Sequence, residues 1–227
     1  MQTIFAKIIS IITSILMFFG VITPPAMPPV KLVPVNETST AMIDRGGITE
    51  SYNEGYSVIT DTYNYEKPSA EKDVASFYNE WIVYGLAENL TIDKLLTDFV
   101  TVQGDGYAKV TTNIGDNVGS GSVIEVYDRN GTEDTSDDKF VERFYVVIYG
   151  DINGDGLITT ADEDMATCET LGITSWSSTR SPHYCYWQTK AGDINADGRV
   201  KTIDASWISG YCVDYYPIDQ TTPVYRK

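Results

Sequence analysis

The sequence predicts an α+β protein, with a small, mostly-β module in the N-terminal half and an α-helical module near the C-terminus. Three observations predict it. Short runs rich in β-branched and aromatic residues recur between residues 81 and 149. An acidic loop of twelve residues occurs twice, at 151–162 and 193–204. Each copy leads into a segment that reads as a helix.

Residues 1–26 read as an export signal. Lys7 and the α-amine form a thin basic start, and 8–22 is a run of 15 mostly apolar residues. A membrane-spanning helix needs about 20, so the run suits a signal sequence better. Pro24-Pro25-Ala26 lacks a small-x-small cleavage pattern, which leaves a retained anchor as the alternative. Either way the remainder is exported, to a secreted or cell-surface location. Residues 27–50 carry Pro28, Pro29 and Pro34, then 36–40 (Asn-Glu-Thr-Ser-Thr) and Gly46-Gly47, without apolar periodicity. They read as a Pro/Thr-rich linker.

The module at 51–149 is expected to hold strands at 57–60, 81–84, 100–103, 107–112, 122–127 and 140–149. One short helix is expected at 91–99, where Thr91 is an N-cap type ahead of apolar residues at helical spacing. Some 90 residues suffice for one core. The acidic run 128–138 contains Asn130-Gly131, a hairpin turn signal. It reads as a solvated tip, with a further cation site as the alternative.

The two loops are Asp-Ile-Asn-Gly-Asp-Gly-Leu-Ile-Thr-Thr-Ala-Asp at 151–162 and Asp-Ile-Asn-Ala-Asp-Gly-Arg-Val-Lys-Thr-Ile-Asp at 193–204. With Gly150 and Gly192 included they match at 8 of 13 positions at an offset of 42 residues. Positions 1, 3 and 5 are Asp, Asn, Asp in both; position 6 is Gly156 or Gly198; position 8 is β-branched; position 12 is Asp. A hard cation such as Ca²⁺ takes six to eight oxygens at roughly 2.3–2.6 Å, and a short loop with alternate side chains turned inward meets that demand. Two bound calcium ions are expected. No amphipathic helix is read ahead of either loop, and 143–150 before the first reads as a strand.

A duplicated EF-hand-like loop-then-helix unit lacking its first helix, on an exported chain, resembles a dockerin of the type I class over about 147–217, with 218–227 as a tail. The resemblance implies side-chain calcium ligands at Asp151, Asn153, Asp155 and Asp162, and at Asp193, Asn195, Asp197 and Asp204. It implies backbone carbonyls from Leu157 and Arg199, and Thr159 and Lys201 at the position usually reached through water. Lys201 departs from a ligand type, which implies a weaker second site. Dockerins bind cohesin modules of a scaffolding protein in cellulosome-like, polysaccharide-degrading complexes. Positions 10 and 11, here Thr160-Ala161 and Thr202-Ile203, weigh heavily in that recognition. Positions 17 and 18, often basic in the family, are Thr167-Cys168 and Ser209-Gly210. The 51–149 segment is similar to the X-modules that precede dockerins, which implies a stabilising or spacing role.

Composition narrows the function classes. The chain has 32 acids against 16 bases and a net charge of −16, which argues against nucleic acid and anionic membrane surfaces as partners. The only histidine is His183, so the N-terminal module has no His-based triad or general base. Glu80, Glu88 and Glu125 are candidates for paired-carboxylate chemistry but read as surface residues. No enzyme is expected. Tyr52, Tyr56, Tyr63, Tyr65 and Trp81 keep open a carbohydrate-binding or hydrolytic module delivered by the docking unit. A surface calcium protein without a cohesin partner is a further alternative. Cys168, Cys185 and Cys212 allow one bridge and a spare thiol, a zinc site with His183, or free thiols. The aromatic segment 174–191 is expected to lie between the two loop–helix units.

Overall fold

The computed structural model describes residues 28–44, 81–178 and 185–221. The export signal expected at 1–26, the strand expected at 57–60, Glu80, the four tyrosines from Tyr52 to Tyr65, and His183 lie outside them. Within the described residues the fold is α+β. The strands are β1 (Lys31–Pro34), β2 (Met42–Asp44), β3 (Trp81–Tyr84), β4 (Val100–Gln103), β5 (Gly106–Thr111), β6 (Val123–Asp128) and β7 (Lys139–Val146). The helices are α1 (Ile92–Lys94), α2 (Thr160–Thr170), α3 (Tyr186–Gly192) and α4 (Thr202–Cys212). No helix among the described residues is long and apolar enough to cross a membrane.

Five strands form one sheet in the order β2-β3-β7-β6-β5, and β1 pairs with β4 in a separate ribbon. Only β3 and β7 run parallel. Period-two burial dictates β6, where Ile124 and Val126 are fully buried and alternate with more exposed residues. Asn130 and Gly131 have φ of 54° and 73°, both left-handed, and turn the chain within the longer connection from Asp128 to Lys139. Lys139 Nζ donates to Asn130 Oδ1 at 2.6 Å and Tyr107 donates to Asp138 Oδ2 at 2.7 Å, so this acidic run is tied as a hairpin tip. Thr91 Oγ1 accepts from Lys94 N at 3.3 Å and starts the expected helix, which widens to a π-turn over Leu95–Phe99.

Three expectations are corrected. The linker read at 27–50 contains β1 and β2, both paired. Prolines masked them: Pro34 is the last residue of β1, an edge strand where a missing N–H costs no ladder bond. The buried Glu142 of β7 accepts from Leu32 N at 2.8 Å and ties β1 to the larger sheet. The second loop does have a helix ahead of it, α3, whose side chains are nearly all buried. A seven-residue helix enclosed on every side has no polar face, so it lacks the amphipathic period that marks a helix in sequence. The tail read at 218–227 begins docked: Gln220 accepts from Tyr149 N at 2.7 Å and donates to Tyr149 O at 2.8 Å, and Ile218 is buried.

The buried apolar residues form one continuous cluster from Leu32 to Ile218, so the sheet and the two repeats share a core. β7 continues through Val147 and Ile148, both fully buried, straight into the first acidic loop. Trp176 and Trp187 from the aromatic segment are buried in that cluster. No disulfide joins Cys168, Cys185 or Cys212.

Candidate metal centres

Each acidic loop closes on itself through carboxylate and amide oxygens that accept backbone N–H groups, and the two closures match at the 42-residue offset. At position 3, Asn153 Oδ1 accepts from Asp155 N at 2.8 Å and Asn195 Oδ1 from Asp197 N at 3.0 Å. At position 5, Asp155 Oδ1 accepts from Leu157 N at 2.9 Å and Asp197 Oδ1 from Arg199 N at 3.1 Å. Position 1 reaches position 6: Asp151 Oδ2 accepts from Gly156 N at 3.2 Å and Asp193 Oδ2 from Gly198 N at 2.8 Å. Position 12 reaches back to position 3, from Asp162 to Asn153 N at 2.9 Å and from Asp204 to Asn195 N at 3.2 Å.

The backbone turns where the pattern demands it. Gly156 and Gly198 have φ of 83° and 84°, a left-handed conformation that only glycine adopts freely. Position 4 is left-handed as well, in Gly154 at 81° and Ala196 at 52°. That second turn was not read from the sequence; Gly154 hinted at it, but Ala196 in the other copy concealed it.

Each loop then starts a helix. Thr159 N donates to Asp162 Oδ2 at 2.9 Å and Thr159 Oγ1 accepts from Ala161 N at 3.2 Å, so the first helix is capped from both directions. Lys201 N donates to Asp204 Oδ2 at 2.8 Å, but a lysine has no side-chain acceptor with which to return the bond. Its Nζ lies 2.6 Å from Asp197 Oδ2 instead. Leu157 and Arg199 are exposed at position 7, and Thr160, Ala161, Thr202 and Ile203 are exposed on the first turns of α2 and α4.

The electrostatics favour a cation. Asp151, Asp162 and Asp204 are fully buried and Asp193 nearly so. Burial pushes the Asp151 carboxyl up to about 7; the Ser120 N–H opposes the rise and the Asp162 charge adds to it. Burial likewise pushes Asp204 up to about 6 and raises Asp162 and Asp193. Asp197 is held low by its bond to Lys201. No ion pair among the described residues involves Asp151, Asp155 or Asp162. Nor do three His, Cys, Asp or Glu side chains converge there as a prebuilt cluster. The carboxylates turn onto loop amides, and Asn153, Asn195 and the position-7 carbonyls are the further oxygens that could complete a donor set. Hard oxygens, buried uncompensated charge and left-handed turns together fit Ca²⁺.

Three residues from the N-terminal module also reach the first loop. Ser120 N donates to Asp151 Oδ2 at 2.7 Å, and Asn89 N donates to Gly156 O at 2.7 Å. Glu88, read from sequence as a surface residue, accepts from Ile158 N at 2.8 Å and from the Tyr211 hydroxyl at 2.6 Å. These contacts join segments far apart in the chain, and no local pattern announces them. Of the other carboxylate and aromatic candidates, the two described ones make contacts within the sheet. Glu125 pairs with Arg143 directly across β6 and β7, and Trp81 packs at a tilt of 47° against Phe144 with centroids 5.6 Å apart. Compared with known proteins, the chain matches no family model, no curated sequence and no solved structure.

Proposed function

We propose that this is a non-catalytic, exported adaptor that binds two calcium ions and docks, through α2 and α4, to a cohesin module of a scaffolding protein. The observation that carries the reading is the repeated closure: two loops 42 residues apart make the same side-chain-to-backbone bonds from positions 1, 3, 5 and 12. Asp151, Asn153, Asp155, Asp162 and the Leu157 carbonyl would hold one ion. Asp193, Asn195, Asp197, Asp204 and the Arg199 carbonyl would hold the other. A bound calcium supplies the positive charge that the buried carboxylates lack. The residues themselves fix the first turn of each helix, so Thr160-Ala161 and Thr202-Ile203 are presented as rigid, exposed pairs.

The test is a titration of the full chain with CaCl₂, followed by capture on a panel of immobilised cohesins with and without chelator. Two binding events and a capture that chelator abolishes are expected. Absence of calcium binding, or capture indifferent to chelator, refutes the reading. Retention on insoluble polysaccharide would instead favour a carbohydrate-binding role for the N-terminal module.

A further inference from the structure

The loops match internally but not in what covers them. The 113–122 turn between β5 and β6 lies directly on the first loop. A Cβ on Gly119 would come within 2.4 Å of Gly156 N, 2.5 Å of Gly154 O and 2.8 Å of Asp151 Oδ2. A Cβ on Gly154 would meet Asn113 Nδ2 at 2.2 Å and Ser120 O at 2.4 Å, and one on Gly156 would meet Asn117 at 2.9 Å. The turn is itself braced: Ser122 Oγ accepts from Gly119 N at 3.0 Å, and Ser120 Oγ donates to Ile148 O at 3.1 Å. Beside it, Asn89 N and the Glu88 carboxylate take Gly156 O and Ile158 N of the same loop.

Among the described residues the second loop has no such cover. Asp197, Gly198 and Arg199 are exposed, and a Cβ on Gly198 would meet nothing within 4 Å. Among the described residues its position-1 carboxylate accepts from its own loop alone, Asp197 N at 3.0 Å and Gly198 N at 2.8 Å. The Lys201 ammonium sits on a ligand-position carboxylate there, Asp197, at 2.6 Å.

We infer that the first calcium site is composite, with Gly119, Ser120 and Glu88 of the N-terminal module acting as positioning residues for its loop. Calcium binding in that loop and the seating of the β-module on it are then one coupled event, while the second loop loads independently. This rests on the calcium reading above. The physical reason is preorganisation: a loop whose position-1 carboxylate and position-6 and position-8 backbone groups are already held loses less freedom on binding an ion.

Single-site titrations of the full chain test it. Asp193→Ala leaves only the first loop able to bind, and Asp151→Ala leaves only the second. In the Asp193→Ala chain, Gly119→Ala and, separately, Glu88→Ala should each weaken calcium binding at least tenfold. In the Asp151→Ala chain Gly119→Ala should leave binding within about twofold; Glu88→Ala is compared at the first site alone, because Glu88 also accepts from Tyr211 of α4, the helix that the second loop starts. Hydrogen exchange adds a readout that a merely structural role would not move: calcium should slow exchange at the Ser120 and Val118 amides in the Asp193→Ala chain and not in the Asp151→Ala chain. Unchanged first-site affinity in both variants, an equal loss at both sites from Gly119→Ala, or no calcium-dependent protection of the turn overturns the composite site. A failure of the Asp193→Ala chain itself to bind calcium overturns the calcium reading instead.

Discussion

At the scale of single residues, the two position-1 aspartates should behave as separable ligands. Asp151→Ala and Asp193→Ala are each expected to remove one calcium from a two-site isotherm, with the first site the tighter of the pair. Two unaltered sites in either variant would rule out the ligand assignment. Proton linkage gives a second expectation. Asp151 moves from an ordinary value of 3.8 to about 7 in the fold, and Asp204 moves in the same direction to about 6. Between 3.8 and those values the native state holds more protons than the unfolded chain, so the calcium-free protein loses stability as pH rises through that window. In chelator the thermal midpoint should therefore climb as pH is lowered from about 8 to about 5. With saturating calcium the trend should reverse, because protons then compete with the ion for the same oxygens. A midpoint independent of pH in chelator would mean these carboxylates are not buried as described.

Among the elements, the sharpest difference lies at the helix starts. Thr159 caps α2, whereas Lys201 offers α4 no side-chain acceptor and bonds Asp197 across an exposed gap. Lys201→Thr should restore a cap worth about 1 kcal/mol and release a ligand-position carboxylate. A higher thermal midpoint and a tighter second calcium site are expected together; a weaker second site would mean the lysine supports the loop. Both helices begin at the acidic loops, so on the proposed calcium reading chelator should also diminish the far-ultraviolet helical signal of the full chain and calcium should restore it. These elements were legible in the sequence because their chemistry is local. Asn-x-Asp-Gly dictates a turn wherever it occurs, and the alternation of β6 survives without its neighbours. What escaped was set by tertiary surroundings. β1 is a strand because Val100–Gln103 and Glu142 accept it, against the message of its prolines. α3 is helical because it is enclosed, against the absence of any cap at Cys185. Glu88 is a strut only because Ile158 and Tyr211 arrive from distant sequence.

For the molecule as a whole, the proposed docking face should be lopsided. Ile203 is 47% exposed and offers far more aliphatic surface than Ala161. Burying it against a partly apolar partner is worth about 1–2 kcal/mol, near a tenfold preference for the orientation led by α4. Ile203→Asp should weaken cohesin binding strongly and Ala161→Asp little. Equal losses would indicate two interchangeable orientations, and no loss from either would place recognition elsewhere. The continuous core bears on a practical matter of another kind. Small calcium-dependent docking units invite use as portable tags, cut out and fused to foreign enzymes. Here a cut near residue 147 would strip Gly121 from the face of Trp187 and the Ser120 amide from Asp151. The fragment would present a bare indole and a half-supported loop to solvent. A transplantable version of this unit has to carry the β-sheet with it.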